Sequence, residues 1–345
     1  MSLELLKQLD PGLIVIPSKE GNILVSNHFQ GRIFCEIDGV LLHRFVEDLA
    51  RDPDPVEFNN LGGNSLWPAP EGGAFAFNYP PKGNWMVQPG INRVPTVTQN
   101  VAGDRVAIEK EIELVNRKGT KLAINFSRQV FADDLDVNYT KFMLKGVAYR
   151  TIDALMIPRG IKQEDALISA WSLEQFPGAE EVYAFGCCES SAEGAFNTDF
   201  YGDPLPRLAT KDKYFSFRLG GDHRLQIGIA AKSRPVFIGA YNPRRNLVVL
   251  RSTALREDGR YFNIADNDQP QGPWSAGDIF SIFNGSSELD FHELETIAPV
   301  NIKEDGTIGS SILESRSLLL TGDLANLRRF LTEMLGVPAE FLGDK

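Results

Sequence analysis

Short segments rich in β-branched and aromatic residues recur between turn signals along the chain, at 13–18 (LIVIPS), 22–27 (NILVSN), 72–79 (GGAFAFNY) and 106–116 (VAIEKEIELVN). Each predicts a strand. In the last of them Ile108, Ile112 and Leu114, with Lys110 among them, alternate with Glu109, Glu111 and Glu113, a period of two that predicts one buried and one solvated face. Polar turns join neighbouring segments and predict hairpins: 116–119 before TKLAINFSRQVFA, 220–222 between KYFSFRL and RLQIGIAA, and 242–245 between PVFIGAY and LVVLRSTA. Helical crossovers of the length a parallel sheet needs are almost missing, so antiparallel pairing is expected.

Two segments depart from this pattern. Residues 40–50 (VLLHRFVEDLA) carry apolar residues at helical spacing. Residues 323–335 do so over a longer stripe, with Leu324, Leu327, Phe330, Leu331 and Met334 on one face. Asp323 is placed to cap the second helix, Gly336 to end it and Pro338 to block its continuation. With no fixed-period repeat, low-complexity tract or long linker, one domain over 1–345 is expected, all-β with a short C-terminal helix.

Composition narrows the classes. A hydrophobic content of 43% and 22 Phe suit a large buried core. The net charge of -11 repels a phosphate backbone, so no nucleic acid partner is expected. No apolar run approaches the ~18 residues of a membrane span, and the N-terminus lacks the pattern of a secretory signal, which predicts a cytoplasmic protein without a membrane partner. Cys35, Cys187 and Cys188 stand in no metal spacing and are expected as buried free thiols. The pattern predicts no particular oligomeric state.

Chemistry concentrates in a few stretches. FHELETIAP (291–299) reads as a strand with Phe291, Glu293, Glu295 and Ile297 on one face and His292, Leu294, Thr296 and Ala298 on the other. Two carboxylates side by side repel, which raises the pKa of one and fits it for proton transfer near neutral pH. The same spacing also suits a solvated strand whose acids pair with Lys or Arg on its neighbours. The stretch 61–85 (LGGNSLWPAPEGGAFAFNYPPKGNW) combines a Gly-Gly pair, two prolines around Ala69, Glu71 and two indoles, Trp67 and Trp85, whose faces are candidates to stack on a sugar or to plug the core. ISAWSLEQFPG (168–178) adds Trp171 and Glu174 as binding candidates. The loop 259–278 carries Asp266, Asp268 and Trp274 but not the calcium-loop pattern, since Pro270 and Gln271 stand where a ligand and the glycine belong. His28, His43, His223 and His292 form no ligand set, and no zinc-hydrolase, serine-hydrolase or nucleotide-binding motif is present. No metal or cofactor is expected.

Taken in order, WPAPE after Gly62-Gly63, ELVNRKGTKLAINFSR, WSLEQFPG, YFNIADNDQPQGPW and ELETIAP resemble the galactose-mutarotase-like (aldose 1-epimerase-like) superfamily over nearly the whole chain. The resemblance implies a β supersandwich of large antiparallel sheets and a small-molecule carbohydrate as partner. It implies an epimerase-like isomerase, or alternatively a carbohydrate-binding module without turnover. In that superfamily a glutamate on a late strand is the base on the anomeric hydroxyl, a place matched by Glu293 or Glu295, and a mid-chain histidine protonates the ring oxygen. No histidine lies between 140 and 220 here, and Pro70-Glu71 replaces the Asn-Arg pair that usually follows the early Gly-rich loop.

Overall fold

The computed structural model describes residues 2–93, 96–102, 104–134, 137–178, 181–268 and 271–343. Two ten-stranded antiparallel sheets stack on one another, the β supersandwich expected of the galactose-mutarotase-like class. The front sheet runs Ile14–Pro17, Gly21–Ser26, Arg32–Ile37, Gly63–Ala69, Ser169–Pro177, Phe291–Ile297, Asp278–Gly285, Arg224–Ala230 and Phe196–Asn197, with Val40–Leu41 paired to Arg32–Ile37. The back sheet is built around two long strands, Lys145–Lys162 and Thr307–Thr321. The hairpin of Arg105–Val115 and Lys121–Ala132 flanks them on one side and that of Pro235–Asn242 and Leu247–Thr253 on the other.

The alternating pattern is obeyed residue by residue on Arg105–Val115. Ile108, Lys110, Ile112 and Leu114 are buried and Glu109, Glu111 and Glu113 exposed. Lys110 belongs to the buried face because its ammonium donates to Ile91 O at 2.8 Å and lies 4.8 Å from the Phe126 ring centre; burial pulls its pKa down to about 7. At the C-terminal end, Leu324–Arg329 is helical and widens into a π turn over Phe330–Met334, and Gly336, at φ +72°, ends it.

Three expectations are corrected. Residues 220–222 do not close a hairpin: Tyr214–Leu219 pairs within the back sheet and Arg224–Ala230 within the front sheet, so Gly220-Gly221 carries the chain from one layer to the other. Residues 72–79 form a loop rather than a strand. Gly73 has φ +78°, Gly72 lies so close to Ala265 O and Asn267 O that a Cβ would stand 2.1 Å from each, and Ala76 and Phe77 are buried together as a plug. Of the helix expected over 40–50 only Glu47–Arg51 forms. Asp38-Gly39, both at positive φ, turns Val40–Leu41 back onto the preceding strand instead. The Ser2–Leu9 helix was not foreseen from the pattern.

Between the layers lies a polar seam as well as an apolar core. Arg251 of the back sheet reaches the front sheet, donating to Ser172 O at 3.0 Å and Leu294 O at 2.6 Å. Its Nε stands 2.9 Å from Glu174 Oε2, an ion-pair contact set off the N–H axis. Glu174 also accepts from Tyr149 Oη at 2.5 Å and Ser317 Oγ at 2.8 Å. His43 Nδ1 accepts from Cys35 N, so its Nε2 carries the proton and donates to Glu174 Oε1 at 2.8 Å. Burial by itself would raise the Glu174 carboxyl, but Arg251, His43 and Tyr149 outweigh it and hold the group at about 2. A second clamp joins Arg128 to Asp153 at 2.8 Å and to Asn64 Oδ1 of the front sheet at 2.8 Å.

Glu174→Leu strands the Arg251 guanidinium in the interior and is expected to cost about 3–5 kcal/mol, with Glu174→Leu/Arg251→Leu less damaging than the single change. Urea denaturation of the three proteins checks this. A double variant no more stable than the single would show that the pair is not the linkage.

Candidate functional site

Strand register decides which side chains meet on the outer face of the front sheet. Across Ser169–Pro177, Trp171 stands opposite Trp67 and Ile297, Leu173 opposite Ser65 and Glu295, and Gln175 opposite Gly63 and Glu293. On the far side of the glutamate strand Ser281 faces Glu295 and Phe283 faces Glu293, with Gln226 beyond Phe283. Residues 67, 171, 173, 175, 226, 283, 293 and 295 therefore form one floor, while Asn64, Ser172, Glu174, Leu294 and Thr296 point into the seam behind it. The floor lies under a cleft of about 320 Å³ whose walls include Phe58, Trp85, Glu71, Tyr201, Arg224 and Arg32. A larger groove of about 600 Å³ lies at the sheet edge by Arg260 and Trp274. The smaller one is the candidate, because the aromatic faces and the perturbed carboxyls converge there.

Glu293 accepts from Gln175 Nε2 at 2.7 Å. Burial is the main force on it, seconded by the nearby Glu71 carboxyl. Against the hydrogen bond from Gln175 and the fields of Arg44 and Arg224, the balance leaves its pKa raised to about 7. Glu295 is almost fully buried and accepts from Trp171 Nε1 at 2.9 Å; burial and then the neighbouring Glu293 push it well above the carboxylate range. Glu71 is also raised by burial, although Trp85 Nε1 donates to it at 2.8 Å and Arg224 opposes the shift. Arg224 lies 3.6 Å over the Tyr201 ring centre and 3.5 Å from Asp266, whose own pKa is raised to about 9 by burial and then by Glu71. Two positions apart on a strand, Glu293 and Glu295 have Cα atoms about 6.6 Å apart. Their ends can reach adjacent atoms of one ligand.

Trp67, Trp85, Trp171, Glu71, Glu293 and Glu295 are thus brought together at one cleft. Glu174 is not. It sits on the opposite face of its strand, in the seam with Arg251 and His43. Trp171 and Trp85 give their indole N–H groups to carboxyls, and Trp67 meets Trp171 edge-on at 6.3 Å and Phe58 at 5.3 Å. Arg32, Arg224, Gln226 and Tyr201 were not anticipated. Arg224 and Gln226 carried a signal, two polar residues at even spacing on the otherwise apolar segment RLQIGIA.

Residues 1–342 match the model of a family of unknown function, DUF6786. The chain belongs to that family. No curated protein matches it. Among solved structures, the Slr1438 protein of Synechocystis sp. PCC 6803 superposes with a TM-score of 0.53 at 12% identity, over 90% of this chain and 94% of that one. A galactose mutarotase-like protein of Lactobacillus casei ATCC 334 gives 0.48 at 10% identity, over 90% and 99%. At these identities the likeness is one of fold. Among the described residues, no helix is long and apolar enough to cross a membrane and no group of acids, histidines and cysteines is placed to hold a metal ion.

The site carries a pH signature. A carboxyl whose folded pKa exceeds its unfolded value favours the fold at low pH, and that contribution is lost as pH rises through the folded pKa. For Glu293 the window runs from 4.5 to about 7. The stability of the wild type relative to Glu293→Gln should therefore fall across this window, as measured by thermal unfolding at a series of pH values. A difference that stays constant, or grows with pH, would contradict the assignment.

Proposed function

We propose that the chain performs acid/base chemistry on a sugar or sugar derivative, of the kind that interconverts anomers, at the Glu293–Glu295 pair. The observation that carries this reading is the unequal setting of two neighbouring carboxyls. Glu293, at about 7, exchanges a proton near neutrality, whereas burial and the neighbouring Glu293 push Glu295 well above the carboxylate range, which favours its protonated form. In the reaction Glu293 takes the proton of the anomeric hydroxyl while Glu295 gives its own to the ring oxygen. The bond between the anomeric carbon and the ring oxygen breaks, leaving an open-chain aldehyde. Rotation about the bond next to the aldehyde and reversal of both transfers yield the other anomer and restore both carboxyls. Glu295 takes the part that a histidine would otherwise fill. Trp67, Trp85 and Trp171 offer aromatic faces to the C–H faces of the ring, and Glu71 an acceptor for a hydroxyl.

Two observations favour a second reading, a carbohydrate-binding module without turnover. The chain lacks the mid-chain histidine, and Glu295 is tied to Trp171. Saturation-transfer NMR on a panel of aldoses and sugar derivatives separates the two. Anomeric exchange is expected with the wild type, roughly 10²–10⁴-fold slower with Glu293→Gln and Glu295→Gln. Binding with no exchange for any member would leave the module, and wild-type rates in both variants would remove the carboxyl pair from the chemistry.

A further inference from the structure

Three arginines are among the buried side chains: Arg32, Arg128 and Arg251. A guanidinium cannot be neutralised near pH 7, so a buried one calls for an anion. Two have theirs inside the seam, Arg128 with Asp153 at 2.8 Å and Arg251 with Glu174 at 2.9 Å. Arg32, only 7% exposed, has no carboxylate in ion-pair contact among the described residues. Among the described residues its side chain makes one hydrogen bond, from Nη1 to Gly62 O at 2.6 Å, and Arg32 lines the cleft. Its surroundings aggravate the deficit. Burial and the neighbouring Arg44 and Arg128 pull its pKa down to about 10, against the sole opposing field of Glu293. Glu293 in turn is engaged by Gln175.

Resting on the sugar reading above, we propose that Arg32 is the seat of a carboxylate on the substrate, so that the cleft takes a sugar acid of the uronic type rather than a neutral aldose. The remaining N–H groups of Arg32 form a planar fork that matches the two oxygens of a carboxylate. One negative charge balances the guanidinium of Arg32. A phosphate dianion would bring surplus negative charge into a cleft whose lining already holds the carboxyls of Glu293, Glu295 and Glu71. The carboxylate at Arg32 and the ring atoms at Glu293 and Glu295 then lie within one cavity of about 320 Å³, the lower end of the size range of small-ligand sites.

Isothermal titration calorimetry at pH 7 with glucuronate, galacturonate, their methyl esters, glucose, galactose and glucose 6-phosphate tests this. A uronate is expected to bind roughly tenfold or more tighter than its own ester. That preference should vanish in Arg32→Gln, whose ligand-free melting temperature should not fall, because an unpaired charge has been removed. The wild-type comparison of acid with ester stands whether or not the variant folds. Neutral sugars and esters binding as well as the acids would overturn the carboxylate seat and leave the sugar reading intact. Acid preference surviving in Arg32→Gln, or tighter Arg32-dependent binding of glucose 6-phosphate, would overturn it too. Failure of every sugar to bind would overturn both.

Discussion

The cleft depends on a charge buried behind it. Glu174, between the sheets, is ionised only because Arg251 comes through from the back layer and His43 and Tyr149 donate to it. Arg251 also holds the carbonyls of Ser172 and Leu294. Leu294 lies between the two cleft glutamates, and Ser172 lies between Trp171 and Leu173 on the adjoining strand. One side chain thus ties together the two strands that form the middle of the cleft floor. Apolar contact alone is non-directional and tolerates sliding of one sheet over the other, whereas a guanidinium with fixed acceptors fixes their relation.

On the outer face the same sheet uses the opposite electrostatic logic. Behind the floor Arg251 answers Glu174 and Arg128 answers Asp153, and the Glu174 carboxyl is driven down. In the cleft, three carboxyls share a confined volume with few counter-charges, so burial drives Glu71 up, and burial with repulsion from neighbouring carboxyls drives Glu293 and Glu295 up. Strand geometry makes this possible. Residues 293 and 295 face outward with a backbone between them, and residue 294 faces inward to be held. The indole N–H groups of Trp171 and Trp85 are spent on fixing carboxyls, which orients both partners without adding charge to the site.

Much of this was legible in the chain. Alternation placed Lys110 on a buried face and put Glu293 and Glu295 together, because a period of two is a local property that the chain carries with it. What alternation does not carry is the identity of the sheet. The segments before and after Gly220-Gly221 both read as strands, yet each finds partners in a different layer. The helical spacing over 40–50 was outweighed by the Asp38-Gly39 turn. Glu174 was misplaced for a different reason: Trp171 and Glu174 are three positions apart on one strand and so must face opposite ways, a parity that the sequence itself contains. Arg32 and Arg224 were hidden because their role follows from long-range register and from missing partners rather than from any local motif.

The carboxyl titrations of Glu293 and Glu295 report directly on the proton store in the cleft at neutral pH. With glutamate labelled at the side-chain carboxyl and the two signals assigned by Glu293→Gln and Glu295→Gln, ¹³C NMR should show Glu293 titrating near 7. Glu295 should titrate well above the ordinary carboxylate range. Two carboxyls both titrating near the ordinary 4.5 would contradict the account.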